Sequence, residues 1–278
     1  MQNAVILGSF DGVHLGHKAV IEAAKGYNCI AVIFSLPPKI VSGDAVGLLM
    51  SLEEKMQHLK NCGVNEIYVL EFKDIKDMSP QDFLSFLKVS FCPKRMVCGF
   101  NYRFGKGALG DINLIREFSK ENDIEFLVVD CVEREGIPVS SSVIRSLIKQ
   151  GDISLANRLL DHDFGFEAKV ISGDKRGRTI GFPTINQRFP KELVKPRFGV
   201  YISEVFIDGK KYKAITNLGI RPTYKTDGIF CETHIPQFSA EIYGKQVRIN
   251  LKRFLRDERK FDSLDRLKDA IYEDVLKL

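Results

Sequence analysis

The sequence contains no apolar stretch that approaches the roughly 20 residues of a membrane-spanning helix. Its first residues lack a basic segment followed by an apolar one, the pattern of a secretory signal peptide. Its 6 cysteines are scattered, and no two form a Cys-x-x-Cys pair, which argues against a zinc ribbon or a disulfide framework. We therefore expect a cytoplasmic protein with reduced thiols and no membrane partner.

The sequence also has little excess charge of either sign. Its 41 lysines and arginines and 36 aspartates and glutamates give a net charge of +5. So small an excess does not require a nucleic-acid partner, because small ligands that carry phosphate explain it equally well. There is no internal repeat and no low-complexity linker, so the 278 residues are expected to form one or two globular domains. The sequence permits an oligomer but does not indicate one.

Apolar runs alternate with helical patterns over the first 160 residues. Strands are predicted at 3–8, 29–34, 66–72, 95–98 and 125–130, and helices at 15–26, 51–62, 79–90, 111–121, 141–150 and 152–160. This alternation predicts an α/β, Rossmann-like domain (1–160) with a parallel sheet and helices on both faces. In such sheets, ligands bind beyond the carboxyl ends of the strands.

The pattern changes after Asp161. Short strand-like runs, separated by turns rich in Gly, Pro, Asn and Asp, are predicted at 167–171, 199–207, 211–218 and 245–251. They predict a small antiparallel β-barrel domain (161–278), followed by a C-terminal amphipathic helix that begins at Ser263.

The most informative segment follows the first predicted strand. Residues 8–17 read GSFDGVHLGH and lead from a strand into a helix. Such a junction directs backbone N–H groups and the positive helix end to one point, which suits phosphate. His14 and His17 share one face of the first helical turn, and Gly16 between them is expected to leave room for a phosphate chain. The four residues His-Leu-Gly-His alone are explained equally well by two surface histidines at a helix start. The strand–turn–helix context favours a nucleotide site instead.

A glycine-rich loop follows the predicted strand 95–98. Residues 99–105 read GFNYRFG, in which Asn101 offers an amide and Arg103 a positive charge. Glycines on either side permit a ligand to approach the backbone closely. By itself the segment is equally well interpreted as an ordinary basic loop.

Residues 140–145 read SSSVIR at the start of a predicted helix. The hydroxyls of Ser141 and Ser142 lie at the helix start, and Arg145, one turn further, can reach a phosphate. Taken alone, the segment is interpreted more simply as a serine cap with a solvated arginine.

In the second half, residues 173–186 read GDKRGRTIGFPTIN, a basic glycine loop that is not a Walker motif. Thr184 and Asn186 lie two apart in an extended segment, so their side chains share one face. A hydroxyl and an amide oxygen placed in this way can hold Mg²⁺ and a nucleotide phosphate. A polar sheet face is the more common role of such a pair.

Together these segments resemble those of the prokaryotic bifunctional riboflavin kinase/FAD synthetases, whose first domain is a nucleotidyltransferase with an HxGH motif. The resemblance covers essentially the whole chain, with three motifs in the first half and four in the second, in the family's order. It implies phosphorylation of riboflavin to FMN with Mg-ATP, followed by transfer of AMP from ATP to FMN, which yields FAD and pyrophosphate.

For the first half, the resemblance implies that His14, His17 and Arg145 stabilise charge on the α-phosphate and the leaving pyrophosphate, without a covalent intermediate. The residues expected to bind ATP, in both halves, are Gly8, Phe10, Gly16, Asn101, Arg103, Ser141, Ser142, Gly173, Lys175, Gly181 and Pro183.

For the second half, the resemblance implies that Thr184 and Asn186 hold the metal nucleotide and that Glu232 accepts the proton of the riboflavin hydroxyl. Without the resemblance, Glu232 is interpreted as a solvated carboxylate on a strand. Residues 254–264 lie beside the flavin pocket in the family, although an Asp-Ser helix cap explains part of them equally well. The expected flavin contacts are Arg256, Glu258, Phe261 and Leu264.

The sequence departs from the family after its second strand, where a Pro-His-Pro segment is replaced by Leu36, Pro37 and Pro38. One alternative is therefore a kinase whose first domain no longer makes FAD. Another alternative is a non-catalytic regulator that binds flavin or RNA. The intact His14, His17 and Glu232 argue against it, because a binding protein needs no base.

Overall fold

The computed structural model describes residues 1–41, 43, 47–173, 177, 180–220, 228–236 and 238–278, so the predicted ATP ligand Lys175 lies outside the described residues. The chain divides into two compact units, Met1–Val143 and Ile144–Leu278. The sequence assigns the helices at 141–150 and 152–160 to the first domain, whereas this division places most of both in the second unit. The domain limits 1–160 and 161–278 therefore stay a prediction. Among the described residues, no helix has the length and apolar character needed to cross a membrane.

The first unit is built on a five-stranded parallel sheet of strand order β3-β2-β1-β4-β5. Its strands are β1 (Asn3–Leu7), β2 (Asn28–Phe34), β3 (Glu66–Leu70), β4 (Arg95–Gly99) and β5 (Glu125–Val129). The two strands β1 and β2 are apolar on both faces, as is usual for central strands of a parallel sheet that helices cover on both sides. A two-stranded hairpin, β6 (Glu133–Arg134) and β7 (Ile137–Pro138), was not predicted.

Helices flank both faces of this sheet. The helices of this unit are α1 (Leu15–Glu22), α2 (Pro38–Val41), α3 (Leu52–Asn61), α4 (Phe72–Ile75), α5 (Pro80–Phe91) and α6 (Ile112–Glu121), and α7 (Ser141–Gln150) begins in it and continues into the second unit. Apolar residues of α1 and α3 pack on one face, and those of α5 and α6 pack on the other. The predicted capping box of Ser51 and Glu54 begins α3, and Ser79 caps α5 ahead of Pro80.

The second unit is a six-stranded antiparallel sheet of order β8-β13-β10-β11-β12-β9. Its strands are β8 (Gly165–Lys169), β9 (Thr184–Arg188), β10 (Gly199–Ile207), β11 (Lys210–Ile220), β12 (Ile229–His234) and β13 (Gln246–Arg256). The two edges approach each other where the Ile171 N–H donates to the Asn186 carbonyl at 2.8 Å. The buried Gln187 amide also donates to the carbonyls of Ala168 and Val247. The sheet therefore curls into a partly closed barrel.

Two helices pack against this barrel, α8 (Ile153–Leu160) and α9 (Leu264–Val275). Helix α8 is joined to β13 by the Asn157 amide, which donates to the Leu251 carbonyl at 2.9 Å. Helix α9 begins at its N-cap Ser263, as predicted. The predicted fold class, a parallel α/β domain followed by a small antiparallel barrel with a C-terminal helix, is confirmed.

Candidate functional site

The first candidate site lies where β1 ends. Strands β1 and β4 are neighbours in the sheet, but the helices that follow them, α1 and α6, pack on opposite faces. The connections at their carboxyl ends therefore diverge, which leaves a crevice of the kind where open α/β sheets bind ligands. Residues 8–14 line it from β1, and residues 100–105 follow β4. The topology thus brings together the two loops that the sequence predicted.

The loop after β1 is held in an unfavourable backbone conformation. Phe10 and Val13 have positive φ angles of 50° and 36°, a region that residues with a side chain rarely occupy, and β-branched ones least of all. Each such residue costs on the order of 1–3 kcal/mol. Both side chains are completely buried in the core, which holds the loop in this shape. Strain of this kind collects at functional sites.

The two histidines of the motif form one stacked pair. His14 is the N-cap of α1, and its Nδ1 accepts a long hydrogen bond of 3.4 Å from the His17 backbone N–H. The two rings stack with centroids 3.7 Å apart and an angle of 15° between their planes. Because Nδ1 of His14 is an acceptor, the proton of the neutral ring lies on Nε2.

His17 is neutral at physiological pH. Burial, followed by the nearby His14 and the positive charge of Lys55, holds the pKa of its imidazole well below the usual range. Its Nδ1 atom is buried and has no hydrogen-bond partner among the described residues. Buried polar atoms without a partner are uncommon in proteins, and one beside a crevice fits a site that takes a polar ligand.

Gly16 is needed for the histidine pair itself. A Cβ atom added there would lie 3.2 Å from Cε1 and 3.3 Å from Nδ1 of His14, which is tighter than ordinary contacts. Gly8 has a similar role, since its added Cβ would lie 3.1 Å from the Phe10 ring. The Phe10 ring in turn packs 5.1 Å from the ring of His17. Four of the predicted residues of the first half therefore form one packed cluster with His14.

The other predicted residues of the first half lie on α7 and in the loop after β4. Ser141 is the first residue of α7, and its hydroxyl donates to the Asp11 carbonyl at 2.9 Å, which ties the helix start to the loop. Ser142 is exposed, and Arg145 is buried one turn further along the helix. After β4, both remaining candidates are exposed: Asn101 and Arg103, the latter 3.4 Å from the Asp111 carboxylate.

One residue beside this site was missed from the sequence. Lys55 is only 3% exposed, and its Nζ donates to the carbonyls of Ser9 at 3.4 Å and Phe34 at 2.9 Å. Burial lowers the pKa of this lysine to about 8, although the carboxylate of Asp11 opposes the shift. A signal was present: Lys55 occupies the same helical face as Leu59, four residues on, where an apolar residue is expected.

The second candidate site is a row of polar side chains across three strands of the barrel. In the strand register, Glu232 on β12 lies opposite Asn186 on β9 and opposite Asn217 on β11. Directly opposite residues have Cβ atoms roughly 4.5–5.5 Å apart. Thr184 lies two residues before Asn186 and on the same side of the strand. The structure thus brings the predicted metal ligands next to the predicted base.

Two glycines ahead of β9, Gly173 and Gly177, lie close to these side chains. A Cβ at Gly173 would lie 2.5 Å from Nδ2 of Asn186, and one at Gly177 would lie 3.5 Å from the Thr184 hydroxyl. Only glycine permits so close an approach at Gly173. Gly181 has a φ angle of +85°, so it too requires glycine, and the carbonyl of Pro183 lies 2.8 Å from Nδ1 of His234.

A cavity of about 320 Å³ opens beside Thr184. Its walls are mostly apolar and include an aromatic ring from Tyr243. Its size and lining lie within the range of pockets that bind small organic ligands.

The predicted flavin residues lie in and after the last strand. The Glu258 carboxylate accepts from the Asn217 amide at 3.0 Å, so it joins the polar row. Arg256 instead donates to the buried carboxylate of Asp274 in α9, with Nη2 and Oδ2 2.7 Å apart. Phe261 lies 5.9 Å from the Arg256 guanidinium, and Leu264 is 64% exposed. Their contact with a flavin stays a prediction.

Replacement of Arg256 by alanine is expected to destabilise the second unit by about 2–3 kcal/mol, because the buried Asp274 carboxylate loses its hydrogen-bonded guanidinium and keeps the longer contact of 3.7 Å with the Lys277 amino group. Chemical denaturation measures the loss. Arg253→Ala, at an exposed position of the same strand, is the matched control and should change stability by less than about 0.5 kcal/mol. Equal stability of the two variants would show that the ion pair has no structural role.

Each half of the chain matches a family of known proteins. A family model described as FAD synthetase matches residues 1–143, and one described as Riboflavin kinase matches residues 160–278. The Bifunctional riboflavin kinase/FMN adenylyltransferase of Listeria monocytogenes is 34% identical, over 96% of this chain and 88% of the relative. The protein of the same name from Escherichia coli (strain K12) is 32% identical, over 97% of this chain and 90% of the relative.

One solved structure matches the whole fold. The crystal structure named Macrolide-efflux Protein from Streptococcus pneumoniae has a TM-score of 0.89 and 31% identity, and the match covers 98% of this chain and 92% of that chain. The word efflux in this name describes that protein and is not carried over to this chain.

An α/β unit that a FAD synthetase model matches, followed by an antiparallel barrel that a riboflavin kinase model matches, places the chain among the bifunctional transferases. The chain belongs to the bifunctional riboflavin kinase/FMN adenylyltransferase family. The family predicted from the sequence is confirmed.

Proposed function

We infer that this chain phosphorylates riboflavin to FMN and then adenylylates FMN to FAD, with ATP as the donor in both steps. One observation carries this conclusion. Each unit contains a polar site built from its own motif, the histidine pair in the part matched as FAD synthetase and the Asn186–Glu232 row in the part matched as riboflavin kinase.

In the adenylyl transfer, a phosphate oxygen of FMN attacks the α-phosphate of ATP, and the bond to pyrophosphate breaks. Negative charge grows on the α-phosphate oxygens and on the leaving group, and donors fixed in advance stabilise it. Nε2–H of His14 and the neutral ring of His17 are such donors. Because neither ring needs to be charged, the stacked pair avoids repulsion between two cations. Arg145 is proposed to add a permanent positive charge.

In the kinase step, the 5′-hydroxyl of the ribityl chain attacks the γ-phosphate of ATP. Glu232 accepts the hydroxyl proton as the new O–P bond forms and the bond to ADP breaks. The apolar cavity beside Thr184 is proposed to hold the adenine ring. Glu258, held by Asn217, lies on the far side of the row, where the flavin would enter.

The donor set of the kinase site fits Mg²⁺. Thr184 and Asn186 offer a hydroxyl and an amide oxygen, with the Glu232 carboxylate across the strand, and magnesium prefers such hard oxygen ligands together with substrate phosphates. Among the described residues, no cluster of three or more His, Cys, Asp or Glu side chains forms a metal site. We propose that Thr184 and Asn186 hold Mg²⁺ with the nucleotide, where the ion would neutralise phosphate charge.

A time course tests this function. The purified chain is incubated with riboflavin, ATP and Mg²⁺, and the flavins are separated by chromatography. FMN should appear first and FAD after it, and EDTA should stop both. A reaction that stops at FMN would favour a kinase that has lost FAD synthesis, the alternative suggested by the missing Pro-His-Pro histidine. Flavin binding without turnover would contradict both enzymes and favour the non-catalytic regulator.

Gly16→Ala is expected to slow FAD formation about tenfold, because the added methyl group displaces the His14 ring by a few tenths of an ångström. Stability should be unchanged or slightly higher, since alanine favours a helix over glycine by up to about 1 kcal/mol. FMN formation should not change. Gly228→Ala is the control, because a Cβ atom added there meets no atom within 4 Å among the residues that the structure describes. Normal FAD formation with Gly16→Ala would show that the His14 position is not critical.

We further propose that the domains end and begin at 160 and 161, and that the protein acts in the cytoplasm, where its ATP is supplied. Nucleic acid has no part in either proposed reaction.

A further inference from the structure

The amino group of Lys55 joins the ends of two neighbouring strands. It reaches from α3 to the carbonyl of Ser9, two residues after β1 ends, and to the carbonyl of Phe34, the last residue of β2. These are the carboxyl ends of the strands, where the first candidate site lies. A lysine side chain is seldom so completely buried, and at this helical position an apolar residue would cost less.

Asp11 lies in the same loop and is also buried, at 2% exposure. Its Oδ1 accepts from the Leu49 backbone N–H at 3.0 Å, and its carbonyl accepts from the Ser141 hydroxyl at 2.9 Å. The carboxylate favours the charged form of Lys55. The strained loop between Ser9 and His14 is therefore held by the opposite charges of Lys55 and Asp11. Lys55 also binds the ends of β1 and β2, and Asp11 binds Leu49 and Ser141.

We propose that Lys55 is a positioning residue for adenylyl transfer, which ties the ends of β1 and β2 together and so holds the loop that places His14 and His17. The proposal rests on the proposed FAD synthesis of the first unit. It assigns Lys55 no contact with substrate. Its effect on the reaction passes through the Ser9 carbonyl and the strained residues that follow it.

The charge of Lys55 gives this role a pH dependence. The groups that face it are Asp11 in the loop and His17 with its stacked partner His14 on α1, while β2 contributes only a carbonyl. On its own helix, the neighbouring Glu54 carboxylate accepts from the Ser51 N–H in the capping box. As pH rises through about 8, Lys55 loses its proton and with it the attraction to Asp11 and the strength of both hydrogen bonds.

The test compares Lys55→Met, Lys55→Arg and the control Lys60→Met, which removes an exposed lysine of the same helix. FAD formation from FMN and FMN formation from riboflavin are measured separately from pH 6 to about 10, the range that spans the lysine titration. Lys55→Met should lower kcat for FAD at least tenfold, with FMN formation and Lys60→Met at the wild-type rate. The wild type should lose FAD activity above a pH of about 8. Lys55→Arg should keep activity to higher pH, because guanidinium stays protonated.

Two results overturn the proposal: FAD formation by Lys55→Met within twofold of wild type, or the same alkaline loss in the wild type and Lys55→Arg. If Lys55→Met does not fold, the pH profile of Lys55→Arg decides. A wild-type chain that makes no FAD at any pH would instead refute the proposed FAD synthesis of the first unit. The wild type alone shows this result, so the two failures can be told apart.

Discussion

His17→Ala is expected to lower the rate of FAD formation from FMN by about 10²- to 10³-fold, the usual cost of removing one donor that stabilises transition-state charge. The variant loses the neutral ring that stacks 3.7 Å from His14 and carries the unpaired, buried Nδ1. Because this ring belongs to the first unit, the kinase site of the second unit keeps its geometry. FMN formation from riboflavin should therefore proceed at the wild-type rate.

Both half-reactions are measured on the same preparation, once with FMN and ATP and once with riboflavin and ATP. The FMN-forming rate reports that the second unit is folded and so standardises the enzyme concentration, and circular dichroism checks that the variant as a whole is folded. His58→Ala, which removes a histidine of α3 in the same unit, should leave both rates unchanged. Equal loss of FAD and FMN formation in His17→Ala would contradict two separate sites.

Glu232→Gln is expected to lower the rate of FMN formation by about 10²- to 10⁴-fold, because the amide cannot accept the proton of the attacking hydroxyl. The substitution preserves size, so the row formed with Asn186 and Asn217 should persist. Added FMN should still be converted to FAD at the wild-type rate. With riboflavin and ATP as the substrates, FAD should therefore appear more slowly by the same factor as FMN.

The matched control is Glu167→Gln, which changes an exposed carboxylate on β8, outside the polar row. It should leave FMN formation unchanged. A Glu232→Gln variant that retains more than a tenth of the wild-type rate would remove the carboxylate from the role of base and leave it as a hydrogen-bonding side chain.

Much of the order of strands and helices could be predicted because its signals are local, but strands β6, β7, β9 and β12 and helices α2 and α4 were not in the predicted list. The capping box of Ser51 and Glu54 and the cap ahead of Pro80 depend only on residues three apart, and both occur where predicted. Element ends were less accurate. The third strand was predicted to include Phe72, which instead begins the short helix α4, and the last strand continues to Arg256, five residues beyond its predicted end.

The same difference between local and long-range signals applies to the candidate sites. His14, Gly16 and His17 are close in sequence, so their cluster in one helical turn could be predicted. Lys55 could not be assigned from its neighbours, since its partners Ser9 and Phe34 lie 46 and 21 residues away. The contact of Arg256 with Asp274 was likewise missed, because two elements must first pack before the guanidinium meets its carboxylate.

The sequence by itself determined the family, the α/β-then-barrel order and the motif residues, because short-range spacing and periodicity specify helices, strands and glycine turns. Only the tertiary structure decided which of these residues meet. The register of β9, β12 and β11 places Asn186 and Glu232 side by side, and burial makes His17 neutral. Both depend on long-range pairing and on the exclusion of water, which exist only once the chain has folded.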